Sequence, residues 1–427
     1  MGGHAALRAR GGADPRRCGR RRRGLRGHPV TTGQQHADAL AAAPADGRYD
    51  RVVRLAQAIF GAPIAALNLL GEHEQHTVAA VGTPRASSPV SESICRFTIE
   101  QDDVVEIADL RADERFRQYP IVAGPPRVRF YAGVPLHAAS GAKVGVLCIL
   151  DLVPRDLGPT QREMLADLGA MLERELSVQE EMARAGEVQR LLLPSEPPAL
   201  EGLEVAGRVL QAREAGGDFF DWQVQPGEGG DELRLLLADV MGKGLAASLI
   251  ASEVRAVLRT HARYVGVAEA VRRSAETTAR DLDSNGRFVT LWAGRVDPRT
   301  GDVEYVDAGH GLGVIASPRG VRRLTQDQLP LGMPVDTTWT SAHDVLAEDE
   351  LLVVVSDGVF DVFGSVEAAL DGVERLLEPP MSCADVVDRI VAYAAARGTS
   401  DDVTAVVVRR TGSAPGAGAT RQEEEQV

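Results

Sequence analysis

Aspartates stand at the ends of apolar runs in four places, and that placement is the first chemical signal in the sequence. Asp239 closes the run that begins at Leu233 and is followed by Val240-Met241-Gly242-Lys243-Gly244. Asp357 follows Leu351 to Ser356 and precedes Gly358. Asp218 follows Gly216-Gly217 and opens Phe219-Phe220, and Asp401-Asp402 precede Val403 to Val408. A single aspartate at a strand end reads as a turn former, because its carboxylate accepts from nearby backbone N–H groups. Four acidic positions at strand edges predict carboxylates that converge when the strands lie side by side. Such a cluster, with no Cys or His nearby, selects hard cations, Mn²⁺ or Mg²⁺, over zinc. Mutual repulsion would raise the pKa of each carboxyl unless cations neutralised it. Two ions roughly 3.5 to 4 Å apart can bind a phosphate oxygen and acidify a shared water, so the implied chemistry is in-line hydrolysis of a phosphate ester.

The elements that must position these groups can be read from periodicity. Strands are predicted at Leu203 to Leu210, Phe219 to Val224, Leu233 to Val240, Val289 to Val296, Val303 to Ala308, Leu312 to Ala316, Leu351 to Val355 and Val403 to Val408. Helices are predicted at Leu245 to Ala262, Val267 to Leu282, Val362 to Leu377 and Ala384 to Ala396, so strand groups alternate with helix pairs. Upstream, Leu165, Leu168, Leu172, Leu176, Met182 and Val188 recur near heptad spacing and predict a long coiled-coil-like helix over 160–194, stopped by Pro194. Ahead of it, an apolar stripe from Val52 to Ile59 and strands at Ile64 to Leu70, Val78 to Val81, Val104 to Ala108, Phe130 to Leu136 and Val144 to Leu150 read as a separate α+β domain.

The order Gly216-Gly217-Asp218-Phe219-Phe220-Asp221, Ala238-Asp239-Val240-Met241-Gly242-Lys243-Gly244, Asp307-Ala308-Gly309-His310, Ser356-Asp357-Gly358-Val359-Phe360-Asp361 and Asp401-Asp402-Val403-Thr404 resembles the PPM-type metal-dependent serine/threonine phosphatases. The branch is that of the sporulation phosphatase SpoIIE and related bacterial stress-response regulators of sigma factors. Val188-Gln189-Arg190-Leu191-Leu192-Leu193-Pro194 is similar to that branch's entry segment. The resemblance implies an αββα sandwich in which Asp218, Asp239, Asp357 and Asp401 hold two Mn²⁺ or Mg²⁺ ions, with the Val240 carbonyl as a further ligand. Water attacks phosphorus directly, without a phosphoenzyme. Asp402, Asp221 and Lys243 are placed around that site rather than on the metal, with Asp221 and Asp361 orienting or structural. His310 reads as a structural residue of a glycine turn rather than a general acid. The implied substrate is phosphoserine or phosphothreonine on a small regulatory protein of the anti-sigma factor antagonist kind. Gly216-Gly217-Asp218-Phe219-Phe220 also resembles the diguanylate cyclase signature. Phe219 stands where a cyclase needs an acid, and the later aspartate motifs have no cyclase counterpart. A non-catalytic partner-switching scaffold is the alternative from a different class, and the retention of all four aspartates weighs against it.

The front domain carries Ser91-Glu92-Ser93-Ile94-Cys95, Val105 to Leu110, Asp113-Glu114-Arg115-Phe116, Arg129 to Leu136 and Gly145 to Asp151, an order that resembles GAF sensor domains: an antiparallel sheet with flanking helices. The resemblance implies a small-molecule ligand without naming it. Cys95 reads as a small buried residue, and His73 and His76 as the solvated tip of a hairpin. The expected organisation is an Arg-rich disordered tail over 1–34, a GAF sensor over 35–178, the connector over 160–194 overlapping its end, a phosphatase domain over 200–411 and a disordered tail over 412–427.

The bulk properties agree with a sensor-regulated enzyme. The first 30 residues hold nine Arg and one acid, yet the 427-residue chain has a net charge of −14. The acidic body weighs against nucleic acid as a partner. No apolar run nears the roughly 20 residues of a membrane span. Four scattered cysteines without a CxxC pair predict reduced thiols in a cytoplasmic protein. The connector predicts a homodimer.

Overall fold

The computed structural model describes residues 34, 37, 41 and 47–411, apart from 228, 318–319, 334–337, 349, 360–367 and 369–380. The helix predicted over 362–377 and Asp361 thus lie outside the described residues.

In the front domain, β1 (Ile64–Leu70) is buried along its whole length, which explains a sequence that is apolar except at Asn68. It pairs with β2 (Glu74–Val81), and the sheet continues through β3 (Ser87–Pro89), β4 (Val105–Ile107), β5 (Phe130–His137) and β6 (Lys143–Asp151) in the order β3-β2-β1-β6-β5-β4. All of these pairings are antiparallel. Helix α1 (Asp50–Phe60) covers one face, and the short helices α2 (Cys95–Thr98) and α3 (Pro120–Ala123) lie over the other. The predicted hairpin tip is shorter than expected. His76 belongs to β2 and its ring meets Ser87 Oγ across the β2–β3 pair at 2.8 Å, because alternate residues of a strand can face solvent while the backbone stays paired.

The connector is one continuous helix, α4 (Pro159–Leu192). Pro159 sits where a missing N–H costs nothing, and Gln161 reaches back to the Gly158 N–H at 3.0 Å. Its first half buries Leu165, Leu168, Leu172 and Leu176 against α1 and the sheet. At roughly 1.5 to 3 kcal/mol per buried leucine, this fixes the helix to the front domain. On another face Met164, Met171 and Val178 are seven residues apart and exposed. The second half of α4 lies against the following domain. A Cβ at Gly186 would stand 1.5 Å from the Glu214 carbonyl oxygen, so only glycine permits that approach.

The C-terminal domain follows from strands buried on both faces. In β9 (Gly230–Val240), Leu233, Leu235 and Leu237 enter one core while Leu236, Ala238 and Val240 enter another. The strand period of two therefore yields a nearly continuous apolar run. Together with β7 (Leu203–Leu210) and β8 (Phe219–Gly227), helices α5 (Leu245–His261) and α6 (Val267–Ser284), then β10 (Val289–Val296), β11 (Asp302–Ala308), β12 (Gly313–Ser317), β13 (Gly320–Arg323), β14 (Ala342–Val345), β15 (Leu351–Val355), α7 (Cys383–Arg397) and β16 (Val403–Arg410), it forms two five-stranded sheets. Their orders are β14-β11-β10-β9-β8 and β13-β12-β15-β16-β7. Phe220, Trp292, Leu352 and Val406 share the core between the sheets. Helices α5 and α6 cover the first sheet through Val254 and Val271, and α7 covers the second through Val387 and Ile390. The layers are αββα, as expected. Strands β3, β13 and β14 were not anticipated, being short edge elements with little apolar signal.

Candidate metal centre

Asp218 precedes β8, Asp239 is the penultimate residue of β9, Asp357 follows β15, and Asp401-Asp402 precede β16. β8 and β9 belong to one sheet, β15 and β16 to the other, so the two sheets bring these ends together. Asp218 is buried and crosses between them, accepting a hydrogen bond from Thr404 Oγ1 at 2.6 Å. Ser356 in turn receives the Thr404 N–H at 2.9 Å and donates to the Asp402 carbonyl at 3.2 Å. The Asp218 carboxyl also shares a hydrogen bond with Asp239.

The electrostatics of this pair are unfavourable as it stands. Burial first, then the charges of Asp239 and Asp402, push the Asp218 carboxyl well above the usual range. Burial, with repulsion from Asp357 and Asp401, lifts Asp239 to about 7. Among the described residues neither Asp218 nor Asp239 has an Arg or Lys partner in an ion pair. A site that sets a buried carboxylate against a half-buried one, with no cation paired to either among the described residues, is chemically suited to a hard cation. Asp401 is partly drawn outward: Lys243 Nζ lies 3.0 Å from it and also donates to the Ser400 carbonyl. Consistent with that, among the described residues no three His, Cys, Asp or Glu side chains stand close enough together to hold one ion. Asp239 nevertheless experiences Asp218, Asp357, Asp401 and Asp402 at once. Long-range repulsion, rather than a closed ligand cage, is what marks the centre.

The remaining predicted residues divide clearly. Asp402 is an anchor: its carboxylate accepts from the Ala212 N–H at 2.9 Å and the Gly217 N–H at 3.0 Å, holding the turn that carries Asp218. On that turn a Cβ at Gly217 would lie 2.6 Å from the Val240 carbonyl oxygen, which places this carbonyl beside the Asp218 turn. Asp221 does not belong to the surroundings of the centre. One residue out of register with Phe220 and Trp222, which enter the inter-sheet core, it faces α5 and pairs with Arg259 at 2.5 Å and Arg255 at 3.4 Å. His310 is buried, donates from Nε2 to the Val355 carbonyl at 2.9 Å and has its pKa lowered by burial to about 4, so it is a neutral structural tie. Asp307 closes the same turn by accepting from the His310 and Gly311 N–H groups.

Gln189 on α4 is a residue whose role the motifs did not disclose. Its amide is buried, donates to the Gly216 carbonyl at 2.8 Å and accepts from the Gly216 N–H at 3.1 Å and from Gln211 at 2.9 Å. Gln189 therefore completes the hydrogen bonding of the turn two residues before Asp218. Nearby, Arg48 of the front domain lies 3.6 Å from Glu214. Sequence alone offered one signal, the position of Gln189 in the entry segment, but a polar residue on a helix more often faces solvent.

Residues 229–411 match the family described as Stage II sporulation protein E, and residues 44–176 match the GAF domain family. The chain joins a GAF domain to a SpoIIE-type domain of the PPM phosphatase family. The first match begins after Asp218, so that aspartate rests on structure and motif alone. The chain is 35% identical over 140 residues to the cyclic di-GMP phosphodiesterase PA2567 of Pseudomonas aeruginosa, covering 33% of this chain and 22% of the relative. It is 22% identical over 185 residues to the phosphoserine phosphatase RsbU of Bacillus subtilis, covering 43% of this chain and 54% of the relative. The chain thus spans about half or less of the curated relatives it matches. A solved structure of the RsbU and RsbW domains of a Mycobacterium tuberculosis protein superposes with a TM-score of 0.44 at 25% identity, covering 51% of this chain and 64% of that one.

Proposed function

We propose that the C-terminal domain is a Mn²⁺- or Mg²⁺-dependent hydrolase of phosphoserine or phosphothreonine on a small regulatory protein, under control of the GAF domain. The observation that carries this reading is the pair of buried Asp218 and half-buried Asp239, with Asp218 held from the second sheet by Thr404 and neither paired with a cation among the described residues. Asp218, Asp239, Asp357 and Asp401, with the Val240 carbonyl, would hold two ions. When bound, such ions neutralise the carboxylates, polarise the phosphoryl group and make water a stronger nucleophile. The chain's own residues do the positioning: Thr404, its backbone held by Ser356, fixes the Asp218 carboxyl, Asp402 fixes its backbone, and Gln189 fixes the preceding turn.

The likeness to the phosphoserine phosphatase RsbU supports a phosphoserine substrate, and the motif resemblance implies one on a protein of the anti-sigma factor antagonist kind. The exposed Met164, Met171 and Val178 at heptad spacing support a homodimer paired along α4. Because α4 is rooted in the front domain and ends on the Asp218 turn, a ligand at the GAF domain would act by biasing that turn. Among the described residues no helix is long and apolar enough to cross a membrane, in keeping with a cytoplasmic regulator.

The test is hydrolysis of a generic phosphate ester and of a phosphoserine peptide by the purified full chain with Mn²⁺, beside Asp239→Ala and Asp357→Ala. Metal-dependent turnover that both substitutions abolish is expected. Equal, slow hydrolysis by all three proteins would reject the metal-site reading and favour a non-catalytic scaffold.

A further inference from the structure

The front domain holds a second chemically distinctive place, on the sheet face opposite α1 and α4. A cavity of about 560 Å³, within the size range of small-molecule sites, lies there between the sheet and the segments carrying α2 and α3. Its lining is mainly apolar and includes Ile64, Ile121, Pro125 and Leu150, and contains no Lys, Arg or His. A phosphate or carboxylate ligand would therefore meet no cation. What the cavity offers instead is sulfur, because both Cys95 and Cys148 line it.

The two thiols are held by a built set of neutral donors. Asn68 is buried in β1 and its Nδ2 lies 3.4 Å from Cys95 Sγ and 3.4 Å from Cys148 Sγ. Thr77 Oγ1 donates to Asn68 Oδ1 at 2.7 Å, which fixes the amide with its NH₂ toward the sulfurs. The Tyr131 hydroxyl lies 3.6 Å from Cys95 Sγ and 2.6 Å from Thr98 Oγ1. Cys148 is flanked in the sheet by Ala66 and Gly133, two residues with little or no side chain to cover it. The sulfurs are also unequal. The Cys148 thiol donates to Cys95, which with Tyr131, Ser93 and Asn68 outweighs burial and lowers Cys95 to about 7, while Cys148 is pushed well above the ordinary range. Cys383, packed under α7, is pushed by burial up to about 12.

We propose that this cavity admits a neutral hydroperoxide, that Cys95 is its nucleophile, and that Cys148 resolves the product as an intramolecular Cys95–Cys148 disulfide. The Cys95 thiolate attacks the terminal peroxide oxygen; the O–O bond breaks, the alkoxide or hydroxide leaves and takes a proton from solvent, and Cys95 becomes a sulfenic acid. Cys148, losing its proton, then attacks the Cys95 sulfur and displaces hydroxide, which leaves as water. The two thiols are oxidised by two electrons and the hydroperoxide is reduced to an alcohol and water. The apolar lining favours an organic hydroperoxide, and hydrogen peroxide is the small alternative of the same chemistry. This inference is independent of the metal centre.

The experiment uses the reduced full chain, freed of reductant and exposed separately to cumene hydroperoxide and to hydrogen peroxide, with peptide mapping and intact mass as readouts. The expected result is one Cys95–Cys148 disulfide, reversed by dithiothreitol and formed at least roughly tenfold faster than any change at Cys383 in the same molecule. Cys148→Ser should stop at a Cys95 sulfenic acid that dimedone captures, and Cys95→Ser should leave Cys148 reduced. Oxidation of Cys95 no faster than Cys383, or a disulfide from Cys95 to any residue but Cys148, would overturn the proposal. Exclusion of cumene hydroperoxide while hydrogen peroxide reacts would overturn the cavity as its binding site. The wild-type mapping decides the matter even where a serine variant fails to fold.

Discussion

The two domains bury reactive groups in opposite ways. The C-terminal domain places carboxylates at the meeting of two sheets, where burial and mutual repulsion raise Asp218 and Asp239 and no described Lys or Arg pairs with them. The front domain places two thiols beside a cavity and satisfies them with an amide, a hydroxyl and each other. The thiol cluster finds its hydrogen-bond partners within the chain, whereas the carboxylates need charge from outside it. The contrast teaches that a cation-dependent site is recognisable as an electrostatic deficit, and a thiol site only as a geometric coincidence.

The strongest way to break this comparison is to remove the deficit. Asp239→Asn should lower metal-dependent hydrolysis by about 1000-fold, since the charge it contributes to the site is lost. The same substitution should raise the melting temperature measured in EDTA, because it relieves repulsion, and should blunt the further rise that Mn²⁺ gives the wild type. A variant that melts no higher than wild type in EDTA would show that the carboxylates are not in conflict.

His310 sharpens the contrast from another side, as a buried titratable group that the fold keeps neutral. Its pKa is lowered from 6.5 to about 4, so below pH 6.5 the unfolded chain binds a proton that the folded chain refuses. Stability from this group is full above pH 6.5 and lost progressively down to about pH 4, amounting to about 3 kcal/mol. In denaturant melts at pH 7 and pH 4, the wild type should lose that much more than His310→Gln. Equal losses would contradict the buried neutral imidazole.

The smallest expected effect concerns the two buried amides that organise each place, Gln189 and Asn68. Gln189→Ala leaves the Gly216 N–H and carbonyl without their partner and should cost about 2 kcal/mol and about tenfold in hydrolysis, with a weaker apparent affinity for Mn²⁺. Asn68→Ala should cost a similar stability while leaving Mn²⁺ affinity unchanged. If both variants lowered Mn²⁺ affinity alike, the effect would be global loosening rather than a local clamp.

Much of this molecule was legible in its sequence where a residue's own chemistry and spacing suffice. A strand buried on both faces announces itself as an unbroken apolar run, so β15 has the predicted bounds. The connector was legible because heptad leucines and a terminal proline are local signals. The short edge strands were not, since their stability comes from a neighbour's backbone. Asp221 was misplaced for a related reason, since motif proximity does not tell which face of a strand a side chain occupies, whereas Lys243 stands beside Asp401 as expected. Asp221 lies three residues from Asp218, yet strand alternation turns it to α5 and its arginines.

By itself the sequence determined the elements, the two family resemblances and the set of aspartates, because apolar periodicity and strand-end carboxylates are properties of contiguous residues. Only the tertiary structure decided that Thr404 holds Asp218 from across the sandwich, that Gln189 closes the turn from the connector, and that Cys95 meets Cys148 over Asn68. Each of those contacts joins residues between 27 and 186 positions apart in the chain. Their partners are selected by how sheets and helices pack, and no local pattern encodes that choice.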